Sequence, residues 1–142
     1  ESVLEIARSK QYPRKNVRFL QSDLYELPPN QDTNALFGGF IWSHIKREDL
    51  LGFLAQVNQL VPRGSTIVFM DNQYVPGSST PIESSDAAGN TFQRRQLKDG
   101  QSYLVLKNFP GREELESALE GKAYDFQYTA LQYFWICAYK TI

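Results

Sequence analysis

The chain has 142 residues, enough for one domain with a real core, which would bury about 68 to 70% of its unfolded surface. Hydrophobic residues at 42% and charged residues at 22% are ordinary globular composition, which argues against disorder, and a formal charge of -1 gives no field to gather nucleic acid. Cys137, the lone cysteine, cannot form an internal disulfide, and no apolar run approaches the roughly 20 residues of a membrane span, so the chain reads as cytoplasmic.

The first residues, ESVLEIARSKQYPRK, carry charges throughout and lack the apolar run of roughly 7 residues or more that a signal peptide needs. They read as a cut, without an initiator Met. Val3, Leu4 and Ala7 put an apolar stripe on one helix face, which Pro13 closes. Residues 16–21 (NVRFLQ) alternate as a short strand that delivers Ser22 and Asp23 at its carboxyl end. Residues 27–34 (LPPNQDTN) are loop by their prolines and polar cluster. Residues 35–41 (ALFGGFI) form a continuous apolar run with two glycines, as in a central strand buried on both faces. Across residues 46–61, Leu50, Leu51, Leu54, Val57 and Val61 recur at helical spacing, and Pro62 stops the helix. Residues 65–70 (STIVFM) are again a fully buried strand, ending at Asp71.

Beyond Asp71 the pattern changes. Residues 72–90 hold three glycine or proline clusters and few apolar residues, so they form a long loop of the kind that is usually functional. Residues 91–96 and 102–107 flank Asp99-Gly100 as a β-hairpin. Residues 111–119 are helical, with Glu113 and Glu114 in the first turn, where carboxylates suit the helix dipole. Residues 124–139, aromatic and β-branched in alternation, are long enough for two antiparallel strands.

The succession VLEIARSK, VRFLQSDLYELP, ALFGGFIWSHI, QLVPRGSTIVFMD and QYFWICAYK resembles a class I S-adenosylmethionine-dependent methyltransferase from its second helix onward. It is similar in particular to bacterial members with a DNxYVxGSSTPI loop and a VLKNFP segment, and the resemblance covers nearly the whole chain as a single domain, 1–142. It implies an α/β Rossmann-like sheet of seven strands with helices on both faces, an antiparallel last strand and an inserted hairpin. The cofactor, S-adenosylmethionine, would lie across the carboxyl ends of the central strands. The glycine-rich first loop and the acidic ribose ligand of the family would lie upstream of Glu1, so the first βαβ portion, about 30 residues or more, is expected to be missing. Asn34 stands where the resemblance usually shows Asp, and Arg63-Gly64 where it shows a Gly pair.

By that resemblance, the Asp23 carboxylate would accept from the adenine amino group and the Leu24 backbone N–H would reach a ring nitrogen. Gly38 and Gly39 would let the methionine part lie against backbone, with Phe40 packed beside it. The alternative for Asp23 is a turn cap; for the glycines it is close packing of helix on sheet. Methyl transfer from a sulfonium is mainly a matter of alignment, and a base is needed only where the acceptor carries a proton. His44, the only histidine, is the first candidate base and Asp71 the second; a helix-start cap or packing role is the alternative for His44. Trp42, Asn72 and Tyr74 would line an acceptor pocket together with Asp71, under the loop through Thr80, unless the two aromatics are core or rim residues. Arg94, Arg95 and Lys98 are candidates for recognising an acidic acceptor, against a solvated hairpin face. No metal ligands are assigned, and Cys137 reads as a buried hydrophobe.

Tyr103 and Lys107 also spell Tyr-x-x-x-Lys, the signature of short-chain dehydrogenases, which needs a helix; in a strand the two residues stand about 13 Å apart. The expected activity is methyl transfer to a small-molecule acceptor by a complete parent, with no nucleic-acid or membrane partner. The alternatives are a non-catalytic, self-associating fragment and, more weakly, that oxidoreductase. With two strands expected to be absent beside residues 35–40, the chain is expected to be a homodimer, through the exposed edge or by exchange of its N-terminal helix and strand.

Overall fold

The computed structural model describes residues 2–13, 16–30 and 32–142. Helix α1 spans Ser2–Ser9. Strand β1 (Ala35–Gly39) leads through two 3-10 turns, Trp42–His44 and Arg47–Asp49, into helix α2 (Leu50–Gln59) and strand β2 (Thr66–Asn72). A two-residue strand β3 (Ser84–Ser85) precedes the hairpin β4 (Thr91–Gln96) and β5 (Ser102–Leu106), then come helix α3 (Arg112–Leu119) and strands β6 (Ala123–Ala130) and β7 (Phe134–Thr141).

The main sheet has the order β1-β2-β7-β6 and the second sheet the order β3-β4-β5. β1 runs parallel to β2, as a crossover through α2 requires, whereas β7 is antiparallel to both β2 and β6. The hairpin turns at Gly100, whose φ of 87° suits glycine. The order of the longer elements follows the sequence expectation for residues 35–142, while β3 lies within residues 72–90, which the sequence pattern predicts to be loop.

Ile67, Phe69 and Asp71 of β2 and Trp135, Cys137 and Tyr139 of β7 alternate inward on one face of the sheet. Phe53, Leu54 and Val57 of α2 and Leu115 and Leu119 of α3 join them in one core. Trp42 sits at its centre, edge-on to Phe53, Phe69 and Trp135 at 6.4, 5.0 and 5.9 Å. Burial pushes the Cys137 thiol up to about 12, so this sulfur behaves as the inert apolar group expected.

Two expectations are corrected. Residues 16–21 are not a strand: their alternation is present, but no neighbouring strand pairs with them, and Leu20 is 76% exposed. Residues 35–41 and 65–70 are not buried on both faces. Phe37 is 64% exposed, and Val68 and Met70 are only half-buried, because α2 and α3 join the core on the opposite face and α1 buries nothing.

Candidate functional site

Parallel pairing brings the carboxyl ends of β1 and β2 to one edge of the sheet. There the Phe40 N–H donates to the Met70 carbonyl at 2.8 Å, and Phe40 adopts a φ of 58°. A bulky residue in that left-handed region is an outlier, costing on the order of 1 to 3 kcal/mol, and such strain concentrates at functional sites. The Phe40 ring meets Phe134 edge-on at 5.9 Å, and Phe134 is the register partner of Asn72, so Phe40 and Asn72 belong to one neighbourhood. Gly38 has a packing reason of its own: a Cβ there would lie 2.4 Å from Phe69 Cε1. Gly39 faces the other way, where a Cβ would lie 2.9 Å from Cε1 of the exposed Phe37 ring, so that ring would have to move.

Asp71 is fully buried and three donors surround it. Its Oδ2 accepts from the Ser43 N–H at 2.9 Å; its Oδ1 accepts from the Asn72 N–H at 2.8 Å and from Lys107 Nζ at 3.1 Å. Lys107, 5% exposed, also donates to Ser43 Oγ at 2.7 Å. A carboxylate so engaged holds β1's exit, β2 and the end of β5 together. Ser43 and Lys107 escaped sequence reasoning as partners of Asp71, since they lie 28 and 36 residues away. Ser102–Leu106 is a strand, and Tyr103 is half-exposed with its hydroxyl on Gln101, so the Tyr-x-x-x-Lys spelling does not assemble a dehydrogenase pair.

His44 is exposed, and its Nδ1 lies 2.8 Å from the Leu106 carbonyl. A carbonyl only accepts, so Nδ1 is the donor, and in the neutral ring Nε2 would then carry the lone pair that a base requires. Trp42, expected in an acceptor pocket, is 3% exposed and belongs to the core. Its indole is apolar bulk in a well-filled interior, so that assignment is withdrawn. Tyr74 lies at the surface, edge-on to Phe109 at 5.3 Å. Asp23 caps the 3-10 turn Leu24–Glu26, its Oδ1 accepting from the Tyr25 N–H at 2.9 Å. Its second oxygen and the Leu24 N–H have no partner among the described residues, which leaves an acceptor and a donor on adjacent residues. An acceptor beside a donor is the chemical complement of an adenine edge.

The hairpin is tied to the start of α2 by buried amides. Asn90 Oδ1 accepts from the Arg47 N–H at 2.8 Å, and Asn90 Nδ2 donates to Glu48 at 2.8 Å and Asp86 at 2.9 Å, holding both carboxyls below their usual range. Asn108 Nδ2 donates to Asn90 Oδ1 at 3.1 Å and to the Ile45 carbonyl at 3.0 Å. Above β4, Asn72, Ser79, Thr80, Gln93, Arg95 and Lys107 line a polar cleft of about 240 Å³. Arg94 pairs with Glu83 instead, and no ion pair of Lys98 occurs among the described residues.

No protein-family model matches the chain, and no curated protein matches it. Solved structures do. DhpI in complex with SAH superposes at a TM-score of 0.67 and 22% identity, over 89% of this chain and 56% of its own. DhpI with SAM and HEP gives 0.67 at 21% identity, over 96% and 62%. A SAM-dependent methyltransferase from Methanosarcina mazei gives 0.64 at 9% identity, over 99% and 76%. The fold is that of the class I SAM-dependent methyltransferases. The chain spans about 56 to 62% of the DhpI chains it matches. Among the described residues no helix is long and apolar enough to cross a membrane.

Proposed function

We propose that the chain serves methyl transfer from S-adenosylmethionine to a small-molecule acceptor, as part of a complete enzyme. What supports this most is the superposition of 96 to 99% of the chain on proteins solved as SAM-dependent methyltransferases or in complex with SAM. Bound at the carboxyl edge, the cofactor would supply an electrophilic methyl group on a sulfonium. The free Asp23 oxygen and Leu24 N–H would hold its adenine, Gly39 and Phe40 its amino-acid end, and Asn72 would face the acceptor with Tyr74 at the rim. His44 Nε2 would take a proton where the acceptor carries one. Asp71 is a positioning residue in this reading, because its lone pairs already hold Ser43, Asn72 and Lys107.

Calorimetric titration of the complete protein with S-adenosylhomocysteine tests it. Asp23→Ala should weaken binding by about 1 to 3 kcal/mol, the cost of leaving a polar partner unmet. Unchanged affinity in a folded variant reduces Asp23 to a turn cap, and no affinity in the wild type removes the proposal.

The second reading, self-association, has its own support. Among the described residues β1 pairs only with β2, and ALFGG offers no charge or proline to blunt its other edge. The 16.3 kDa chain should therefore sediment as a homodimer at micromolar concentration, by edge pairing or by exchange of its N-terminal segment. Phe37→Lys, at a side chain 64% exposed, should return an edge-paired dimer to monomer without loss of folding. A monomeric wild-type chain refutes the edge.

A further inference from the structure

We propose that the cleft above β4 is an oxyanion site, with Arg95 as its charge, and that it receives the acidic group of the methyl acceptor: a carboxylate or a phosphate on a small molecule. The name acceptor rests on the proposed function; the anion site stands on the cleft itself.

Two cations line the cleft, and they differ. Lys107 is neutralised by Asp71 at 3.1 Å. Arg95 has no carboxylate within ion-pair distance among the described residues. Its guanidinium is held by neutral acceptors instead: one terminal nitrogen donates to Thr80 Oγ1 at 3.0 Å, the other to Gln93 Oε1 at 2.8 Å. Gln93 is 1% exposed and spends its own amide N–H on the Thr80 carbonyl, so a buried side chain fixes both the arginine and the loop over it. Two of five guanidinium N–H groups are used, leaving three and an uncompensated charge at the cleft. A planar fork of donors held in place before its ligand arrives is what bidentate recognition of an oxyanion needs.

Arg94 supplies the internal contrast. It is the next residue on the same strand, points to the opposite face by strand alternation, and pairs with Glu83 through both Nε and a terminal nitrogen. A merely solvated hairpin would have no reason to neutralise one arginine and to orient the other with a buried glutamine. The cleft's volume of about 240 Å³ admits an anionic head and a few carbons, and Asn72 connects its wall to the carboxyl edge of β2.

The test is an NMR titration of the chain with inorganic phosphate, then with acetate, each against chloride at equal ionic strength. Saturable shifts are expected at Ser79, Thr80 and the Arg95 Nε resonance. R95Q should weaken phosphate binding about tenfold or more, the loss of charge-assisted hydrogen bonds, while R94Q leaves it unchanged. Shifts no larger than with chloride, an Arg95 Nε signal that stays still while others move, or equal losses in R94Q and R95Q each overturn the site. The Arg95 Nε readout comes from the wild type, so the decision stands even if R95Q does not fold. Phosphate binding without S-adenosylhomocysteine binding in the complete protein would retain the anion site and remove the methyl-transfer reading. The reverse pattern would remove the site alone.

Discussion

Residues 2–34 and residues 35–142 carry equally regular apolar patterns and meet opposite ends. The first stretch has a striped helix and an alternating segment, yet no described residue in it is fully buried; every buried residue lies in the second. Periodicity states which side of an element wants to leave water, and only a partner element lets it do so. From Ala35 onward each element finds that partner: β1 pairs with β2, β2 with β7, and α2 and α3 join the strands in one core.

The sharpest way to break the second region is at its one buried ion pair. Asp71→Ala would leave Lys107 charged and buried without its carboxylate, and would strip the Ser43 and Asn72 N–H groups of their acceptor. The expected loss is about 3 to 5 kcal/mol in urea denaturation, and an added Lys107→Met should recover much of it. A loss below about 1 kcal/mol would show the pair to be solvated rather than sealed.

Smaller is the effect expected at Gly38. A Cβ 2.4 Å from Phe69 Cε1 has to push an inward ring of a filled core, so Gly38→Ala should cost about 1 to 3 kcal/mol by the same measurement. Gly39→Ala, against the exposed and movable Phe37 ring, should cost less. Equal losses would mean that both glycines answer to backbone conformation rather than to what a side chain would meet.

The sequence revealed β1, α2, β2, the hairpin, α3 and the terminal strand pair because each depends on local pattern plus a neighbour within the chain. It misled at residues 16–21, where alternation was read as a strand although pairing is not a local property, and it left Trp42 between a pocket and a core role, of which burial favours the core. The Asp71, Ser43 and Lys107 cluster and the Gln93 clamp on Arg95 were out of reach for another reason. Both depend on long-range approach: β5 comes against the exit of β1, and the loop after β2 folds over the hairpin.

The smallest effect expected is also the one that tests the contrast between the two regions most directly. Ile6 stands one turn from Val3, at the border of the apolar stripe of α1, is 61% exposed, and has no buried neighbour within its own helix. Glutamine is a good helix former, so Ile6→Gln removes the apolar side chain without burdening the helix. In a chain whose stripe stays in water, nothing is lost by that exchange, and the stability change should fall within about 0.5 kcal/mol. A cost above about 1.5 kcal/mol would be the signature of a buried isoleucine. It would mean that the stripe is covered in solution, and covering by a second copy would appear as a dependence of the midpoint on protein concentration, since only an assembled state gains stability by mass action. A concentration-independent midpoint with an unchanged free energy leaves α1 as a helix in which no residue is fully buried.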